Sequence, residues 1–188
     1  MRNSITENEI EEIALSYLQS LGYSYVLGTD ISPDGEHPER QYNEVVLATR
    51  LRDAIDKLNP TITQDAKEDA LKKVLRTESP NQLINNENFH RYLTDGVDVE
   101  VRTPSGIRGE KVYIVDFTNP ENNEFLAVNQ FTIIEGSQNK RPDLILFVNG
   151  LPLVVVELKN AVDENANVKS AYNQLQTYKQ AIPSLFTY

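Results

Sequence analysis

The sequence predicts an α/β domain in which helices flank a mixed central β-sheet. Apolar residues recur at helical spacing near both ends and in the first half of the chain. Stretches rich in Val, Ile, Leu and Phe dominate residues 97–158, which predicts the strands. With 188 residues the chain is long enough for one domain with a substantial core. Three helices precede most of the strands, so we expect a helical insertion, at about 42–94, between the first helix and the main sheet.

The charge and the metal-binding residue types limit the function. A net charge of −10 argues against a protein that coats nucleic acid by bulk electrostatics. It does not exclude a nuclease, because carboxylates that hold divalent cations add negative charge and a neighbouring domain can supply DNA affinity. The chain has no cysteine and only two histidines, which excludes a thiolate site and argues against the usual zinc site.

The N-terminal sequence and the apolar runs indicate where the protein resides. The first residues, MRNSITENEIEE, are acidic and polar, unlike a signal peptide. No apolar run approaches the ~20 residues that span a bilayer. We therefore expect a soluble, cytoplasmic protein with no membrane partner.

The first helix is marked by a capping box, with Thr6 as N-cap and Glu9 three residues later. Gly22 ends it. Glu11 lies at the border of the apolar stripe, roughly 90° from its centre, since each residue turns about 100°. A carboxylate there is either solvated or reaches a site beside the core. The stripe comprises Ile10, Ile13, Ala14, Tyr17, Leu18 and Leu21.

A short strand, Tyr23–Leu27, and a loop rich in Gly, Pro and Asp come next. Helices are predicted at about 42–58, at 64–76 with Thr63 as cap, and near 86–94. Nothing in these helices suggests chemistry. Their basic residues are expected to form a solvated face, with a role facing DNA as the alternative: Arg50, Arg52, Lys72, Lys73 and Arg76.

Strands are predicted at Val97–Val101, at Lys111–Phe117 after a turn at Pro104-Ser105-Gly106, and at Phe125–Ile134. A last helix is predicted at about Asn165–Ala181. The chain ends in SLFTY with no polar tail, which suggests a domain cut from a longer polypeptide.

Residues 141–160, RPDLILFVNGLPLVVVELKN, predict a hairpin with strands at Leu144–Val148 and Leu153–Leu158. Asn149-Gly150 between them is a strong turn signal. A three-residue loop that includes Leu151 places Asp143 opposite Glu157, whereas a two-residue loop shifts the register by one. In both registers the two carboxylates lie within several ångströms of each other.

Three charged groups thus meet at the open end of the hairpin: Asp143, Glu157 and Lys159. Two carboxylates this close repel each other unless a cation lies between them. Mg²⁺ prefers carboxylate, carbonyl and water oxygens, and the Leu158 carbonyl is a further candidate ligand. Lys159 would stabilise negative charge on a phosphoryl group or orient a water molecule. From these residues alone, ordinary charges at strand ends with a Glu–Lys pair remain an equal alternative.

Pro142-Asp143 followed by Glu157-Leu158-Lys159 resembles the PD-(D/E)xK nuclease signature. Gln174 and Tyr178 match the Q-x-x-x-Y motif of its RecB-like branch, and share a helix face. The first helix resembles the opening helix of this family, in which the residue at the position of Glu11 faces the metal.

A narrower resemblance covers nearly the whole chain. It rests on TENEIEEIALSYLQSLGY, LRDAIDKLNP, NQF at 129–131, RPDLILFVNGLPLVVVELKNA and QLQTYKQAIPSLF. Together these segments resemble the N-terminal region of the motor, or R, subunit of type I restriction enzymes. The resemblance implies a restriction-endonuclease-like core, with residues 1–188 as a single nuclease domain that precedes an ATP-dependent translocase.

The same resemblance implies a Mg²⁺-dependent DNA endonuclease, with Mn²⁺ as a substitute metal. Asp143 and Glu157 would bind the metal with the Leu158 carbonyl and Glu11, and Lys159 would be catalytic. Gln174 and Tyr178 would orient the substrate. The implied partners are double-stranded DNA and the methyltransferase and specificity subunits.

One departure and two alternatives accompany this interpretation. The chain has no G-x-x-x-x-G-K-[ST] loop, so ATP would act only through motor domains outside this sequence. The isolated domain can therefore be inactive without the DNA grip of the motor. The alternatives are a non-catalytic docking or regulatory module on the same fold, and a stand-alone nuclease or junction resolvase.

Overall fold

A computed structural model describes residues 6–104, 106–159 and 168–188. The first part contains α1 (Glu7–Ser20), β1 (Ser24–Leu27), α2 (Ala48–Leu58), α3 (Gln64–Leu75), α4 (Gln82–Asp95) and β2 (Val97–Thr103). The second part contains β3 (Gly106–Val112), β4 (Phe125–Asn129), β5 (Ile133–Glu135), β6 (Gln138–Lys140), β7 (Leu144–Val148) and β8 (Leu151–Val156). The third contains α5 (Val168–Ala181). Short 3-10 helices lie at Pro120–Asn122 and Pro183–Phe186.

The main sheet has the order β1-β4-β7-β8, with β1 parallel to β4 and the other pairs antiparallel. Successive side chains of a strand point to opposite faces, so each face packs against different helices. One face, with Ala127 and Leu144, packs against Leu15 of α1. The other, with Phe147, packs into the larger core that includes α2, α3 and α5. The predicted α/β class with a mixed sheet is confirmed.

The β7–β8 hairpin combines the two registers considered from the sequence. Asn149 and Gly150 form a two-residue turn with φ of 52° and 78°, as a type I′ turn requires. Val148 therefore pairs with Leu151, so the second strand begins two residues earlier than predicted. A register shift then follows between Leu146 and Phe147, and Leu144 pairs with Val156. Extending that register by one residue places Asp143 opposite Glu157.

The first helix of the insertion is shorter than predicted, because residues 42–47 are not helical. The Leu47 N–H donates to the Gly150 carbonyl (2.9 Å), and the Ile134 N–H donates to the Tyr42 carbonyl (3.0 Å). Val45 and Leu47 are buried by this packing. We infer that burying these apolar side chains against the hairpin turn is more favourable than extending α2 towards its predicted start. Thr63 precedes α3 as predicted, but its side chain makes no capping hydrogen bond.

The strands β2 and β3 form a separate two-stranded sheet that packs against α3, so they are not part of the main sheet. The prediction of a strand at Lys111–Phe117 was wrong beyond Val112. The backbone of Tyr113 instead pairs with the buried Asn59 side chain, through two hydrogen bonds of 2.8 Å. The Asp116 carboxylate then accepts hydrogen bonds from the N–H groups of Thr118 and Asn119, which closes a turn.

The predicted long strand at Phe125–Ile134 is interrupted after Asn129. Gln130 adopts a left-handed conformation with φ of 54°, which ends the pairing with β7. The strand β6 was not predicted. The fourth helix begins at Gln82, four residues before its predicted start. The last helix ends at Ala181 as predicted, whereas its predicted first residues, 165–167, lie outside the described residues.

The capping box of α1 is confirmed, since the Glu9 N–H donates to Thr6 Oγ1 (3.3 Å) and the Thr6 N–H donates to Glu9 Oε2 (2.7 Å). The orientation of α1 differs from the prediction. Ile13, Tyr17 and Leu21 are 60–65% exposed. Leu15, outside the predicted stripe, is buried against the sheet. The apolar pattern of α1 therefore has two sides, and only one of them contacts the sheet.

Within the described ranges, no helix combines the length and the apolar character needed to cross a membrane.

Candidate active site

Asp143 lies immediately before β7, and its carboxylate contacts the chain that leaves β8. Its Oδ2 accepts a hydrogen bond from the Leu158 N–H (2.6 Å). This bond is possible because the hairpin register brings Asp143 beside Glu157 and Leu158. The pairing of the two strands thus places the Asp143 carboxylate next to the backbone that follows Glu157.

Glu157 follows β8, and its side chain is only 2% exposed. Its Oε1 accepts a hydrogen bond from Lys159 Nζ (2.7 Å), and its Oε2 accepts one from Tyr178 Oη (3.2 Å). Lys159 remains 23% exposed and is closer to solvent. A buried carboxylate is costly unless it is paired and hydrogen-bonded, and here both of its oxygens have a donor.

These contacts extend into a closed cycle of four side chains. Lys159 Nζ donates to Gln174 Oε1 (3.1 Å), and Gln174 Nε2 donates to Tyr178 Oη (2.8 Å). Tyr178 then donates to Glu157, which also accepts from Lys159. Gln174 and Tyr178 can both take part because residues four apart on α5 share a face. In this structure the two residues expected to orient DNA contact Glu157 and Lys159 directly.

Burial and neighbouring charges shift the pKa values of two groups in the site. Burial raises the pKa of Asp143, and the negative charges of Glu157 and Glu11 raise it further. The Leu158 hydrogen bond and Lys159 oppose that shift. Burial also raises the pKa of Tyr178 to about 12, so the phenol stays protonated at neutral pH and remains a donor to Glu157.

Glu11 is held by a different set of contacts. Its Oε1 accepts a hydrogen bond from Asn129 Nδ2 at the end of β4. Asn129 Oδ1 accepts one from Tyr25 Oη (2.9 Å). All three residues line a polar groove that also includes Arg141. In the ranges that the structure describes, no three His, Cys, Asp or Glu side chains are grouped as a metal site. The structure therefore brings Asp143 and Glu157 together but does not add Glu11 to them as a third ligand.

The donor set at the hairpin fits a hard divalent cation. It offers two carboxylates, Asp143 and Glu157, and the carbonyl of Leu158, the residue whose N–H donates to Asp143. Mg²⁺ commonly binds through one or two carboxylates and completes its shell with water and substrate phosphate. Burial is the main cause of the raised pKa of Asp143, and repulsion by Glu157 and Glu11 adds to it. A bound cation would offset the repulsion.

Residues 4–188 match the family described as Type I restriction enzyme R protein N terminus. The chain belongs to this family. It is 41% identical over 186 residues to the Type I restriction enzyme HindI endonuclease subunit of Haemophilus influenzae, which covers 98% of this chain and 18% of that protein. It is 33% identical over 183 residues to the putative type I restriction enzyme MjaIXP endonuclease subunit of Methanocaldococcus jannaschii, covering 95% of this chain and 17% of that protein.

A shorter similarity, 39% identity over 67 residues, links the chain to the SauCOLORF180P endonuclease subunit of Staphylococcus aureus strain COL. The chain spans less than a fifth of the length of the first two relatives. The family match and these similarities agree, since each relative is named as the endonuclease subunit of a type I restriction enzyme.

Sequence reasoning missed Asn129 and Tyr25, which hold the Glu11 side chain. Asn129 stands in the NQF segment of the family resemblance, without an assigned role there. An available signal was its place at the end of the apolar run FLAVN, where a polar residue that is 7% exposed requires hydrogen-bond partners.

Proposed function

We propose that this domain hydrolyses phosphodiester bonds of double-stranded DNA in a reaction that depends on Mg²⁺. The observation that supports this proposal most is the buried Glu157 carboxylate, which is linked to Lys159 and lies across the hairpin from Asp143. Stability alone does not explain such a group, since replacing a buried ion pair by apolar residues is often neutral or stabilising. A carboxylate whose pKa is raised by burial and by neighbouring charge, as that of Asp143 is, is typical of functional sites.

The roles proposed for these residues follow from their chemistry. Asp143, Glu157 and the Leu158 carbonyl would hold Mg²⁺, or Mn²⁺ as a substitute. When bound, the ion supplies Lewis-acid stabilisation at the phosphate and activates water. The ammonium of Lys159 is partly exposed, so it can approach the phosphate and stabilise the negative charge that develops there.

Gln174 and Tyr178 are proposed to help orient the substrate, in addition to their hydrogen bonds within the cycle. The Gln174 amide uses one N–H to reach Tyr178, and its second N–H, without a partner among the described residues, could donate to a phosphate oxygen. Tyr178 is 5% exposed and keeps its proton, so its main contribution would be to hold Glu157 in place. Because Lys159 donates to Gln174, contact of the DNA strand with Gln174 would also affect the position of the Lys159 ammonium.

At the level of the whole protein, we propose that this domain acts within a longer subunit. The relatives named endonuclease subunits are more than five times as long as the matched region. An ATP-dependent translocase and the methyltransferase and specificity subunits would then supply movement along DNA and sequence recognition. ATP would enter only through those other domains.

The proposal is tested in the full-length subunit assembled into its restriction complex. Asp143→Ala and Lys159→Ala are each expected to lower DNA cleavage by about 10²-fold or more, which is typical of a lost charge-stabilising group. ATP hydrolysis should persist in both variants, because the motor is not changed. Plasmid cleavage and phosphate release measure the two activities.

Matched controls are available in the exposed ion pair of β2 and β3, Asp98 with Lys111 (2.8 Å). Asp98→Ala and Lys111→Ala remove the same groups far from the hairpin and should leave cleavage unchanged. Normal cleavage by Asp143→Ala or Lys159→Ala would contradict the proposal and favour a non-catalytic docking module.

A further inference from the structure

A buried amide connects three elements beside the candidate active site. Asn129 ends β4, Glu11 belongs to α1 and Tyr25 belongs to β1. The Asn129 side chain donates to Glu11 Oε1 through Nδ2 and accepts from Tyr25 Oη through Oδ1. Glu11 and Asn129 are 118 residues apart in sequence, so only the fold brings them together.

The direction of these hydrogen bonds is determined by what each group can do. An ionised carboxylate only accepts, so the amide must present its nitrogen to Glu11. The amide oxygen then faces Tyr25, whose hydroxyl can donate. Tyr25 thereby stabilises the one amide orientation that serves Glu11. Loss of the Asn129 amide or of the Tyr25 hydroxyl would leave the Glu11 carboxylate with fewer restraints on its rotamer.

The backbone around Asn129 is restrained from both sides. The Gly28 N–H donates to the Asn129 carbonyl (2.8 Å), and Gln130 turns the chain with φ of 54°. Phe131 is fully buried under the Arg40 guanidinium, which lies 3.5 Å from its ring centroid. Arg40 is itself 3% exposed and donates to the carbonyls of Gln41, Glu44 and Thr132. The Asn129 amide therefore projects from a rigid support.

The same restraints place Glu11 near the hairpin. Asn129 pairs with Leu144, the residue that follows Asp143. Because Asn129 Nδ2 donates to Glu11 Oε1, the Glu11 carboxylate lies at the end of the sheet where β7 begins. Glu11 nevertheless does not join Asp143 and Glu157 in a group of three within the described ranges.

We propose that Asn129 and Tyr25 are positioning residues, which hold the Glu11 carboxylate toward Asp143 so that it increases the affinity of the site for a divalent cation. This inference rests on the proposed metal-dependent function. Residues that orient metal-site groups typically change metal affinity by about 10–100-fold when they are mutated. Asn129 and Tyr25 would act only through Glu11.

The test measures Mn²⁺ binding to the 188-residue chain by calorimetry, and the Mg²⁺ concentration for half-maximal cleavage by the assembled full-length enzyme. Asn129→Ala is expected to weaken Mn²⁺ binding about 10-fold, at the lower end of the range for such residues. Tyr25→Phe should weaken it measurably but less than Asn129→Ala does, since it removes only the hydroxyl that orients the amide. The Mg²⁺ requirement should rise by similar factors.

A matched control and a double-mutant cycle separate positioning from a general structural effect. Tyr42→Phe also removes a phenolic hydroxyl, one that donates to the Asp34 carboxylate instead of to Asn129, and should leave metal binding unchanged. Adding Asn129→Ala to Glu11→Ala should cause no further loss, because both act through one group. Tyr25→Phe keeps the side-chain shape, so it tests the inference even if Asn129→Ala does not fold.

The inference would be overturned if Tyr25→Phe left the metal affinity unchanged, or if Asn129→Ala weakened binding equally with and without Glu11. A Glu157→Gln variant that still bound Mn²⁺ normally would instead overturn the proposed metal site itself. The two failures are thus distinguishable, because the first leaves the effects of Asp143→Ala and Glu157→Gln intact.

Discussion

At the scale of single residues, the two carboxylates of the hairpin have different surroundings although they lie opposite each other. Glu157 receives donors from Lys159 and Tyr178. Asp143 is half-buried, accepts the Leu158 N–H, and has its pKa raised by burial and by neighbouring negative charge. Without a cation, the ionised Asp143 side chain therefore opposes folding, whereas the proposed metal-binding role requires it to be ionised.

Asp143→Asn should accordingly increase the stability of the metal-free protein at neutral pH. A raised folded-state pKa means that the native state binds a proton more readily than the unfolded state. The free energy of unfolding therefore falls as the pH rises from the ordinary pKa of Asp143 through its raised folded-state pKa. The penalty is complete above the folded pKa, and Asn removes it while keeping an oxygen for the Leu158 N–H. Thermal unfolding without divalent cations measures the effect.

The advantage of Asp143→Asn should shrink as pH is lowered from the raised pKa of Asp143 towards its ordinary value, because the wild-type side chain then becomes neutral as well. Asp98→Asn, at an exposed carboxylate, is the control and should show no such gain. Lower stability of Asp143→Asn at neutral pH would contradict the raised pKa.

At the scale of elements, the β7–β8 hairpin has the candidate site at its open end and contacts the helical insertion at its turn. The Gly150 carbonyl accepts the Leu47 N–H (2.9 Å), which fixes the segment that leads into α2. A Cβ atom on Gly150 would lie 2.5 Å from the Leu47 carbonyl oxygen and 3.0 Å from the Leu51 backbone nitrogen. Its φ of +78° is also unfavourable for other residues.

Gly150→Ala should therefore destabilise the protein by about 2 kcal/mol or more, since left-handed conformation alone costs about 1–2 kcal/mol in a residue with a Cβ. Chemical denaturation measures this change. Gly109→Ala in β3 is the control, because a Cβ there has no neighbour within 4 Å and φ is not positive. A cost of Gly150→Ala no larger than that of Gly109→Ala would contradict the close contact with Leu47.

At the scale of the whole molecule, buried asparagines tie the insertion to the main sheet. Asn59, at the end of α2, donates to the carbonyls of Ile55 and Tyr113 and accepts the Tyr113 N–H, each at 2.8 Å. Asn149 in the hairpin turn donates to the Ile114 carbonyl (2.8 Å) and accepts the Glu124 N–H (2.8 Å). The irregular segment after β3 is therefore held on both sides by side-chain amides.

Asn59→Ala should lower the free energy of unfolding by about 2–3 kcal/mol, because it removes three hydrogen bonds and leaves the partly buried N–H and C=O of Tyr113 without these partners. Urea denaturation measures the change, and Asn139→Ala at an exposed position of β6 is the control. If the insertion and the sheet unfold together, the transition remains single and shifts as a whole. A loss below about 0.5 kcal/mol, the range of ordinary surface substitutions, would contradict this role.

Local patterns in the sequence determined the parts of this protein in which neighbouring residues act on each other. The capping box, the Asn149-Gly150 turn and the i, i+4 relation of Gln174 and Tyr178 are of this kind. The facing of Asp143 and Glu157 was also predictable, since one hairpin relates them. The bulge within β8 was not, because it depends on packing that alternation of residue types does not encode.

Tertiary structure decided which of several competing partners each segment contacts. An apolar pattern shows that a face can be buried but not what will cover it, so Ile13 and Tyr17 remained exposed and Val45–Leu47 covered the hairpin turn. Likewise, Asn129 reaches Glu11 and Tyr178 reaches Glu157 only after distant elements have packed. The sequence alone thus determined the charged end of the hairpin, and the fold determined which buried donors hold its carboxylates, because hydrogen bonds between distant elements depend on the packing of the whole core.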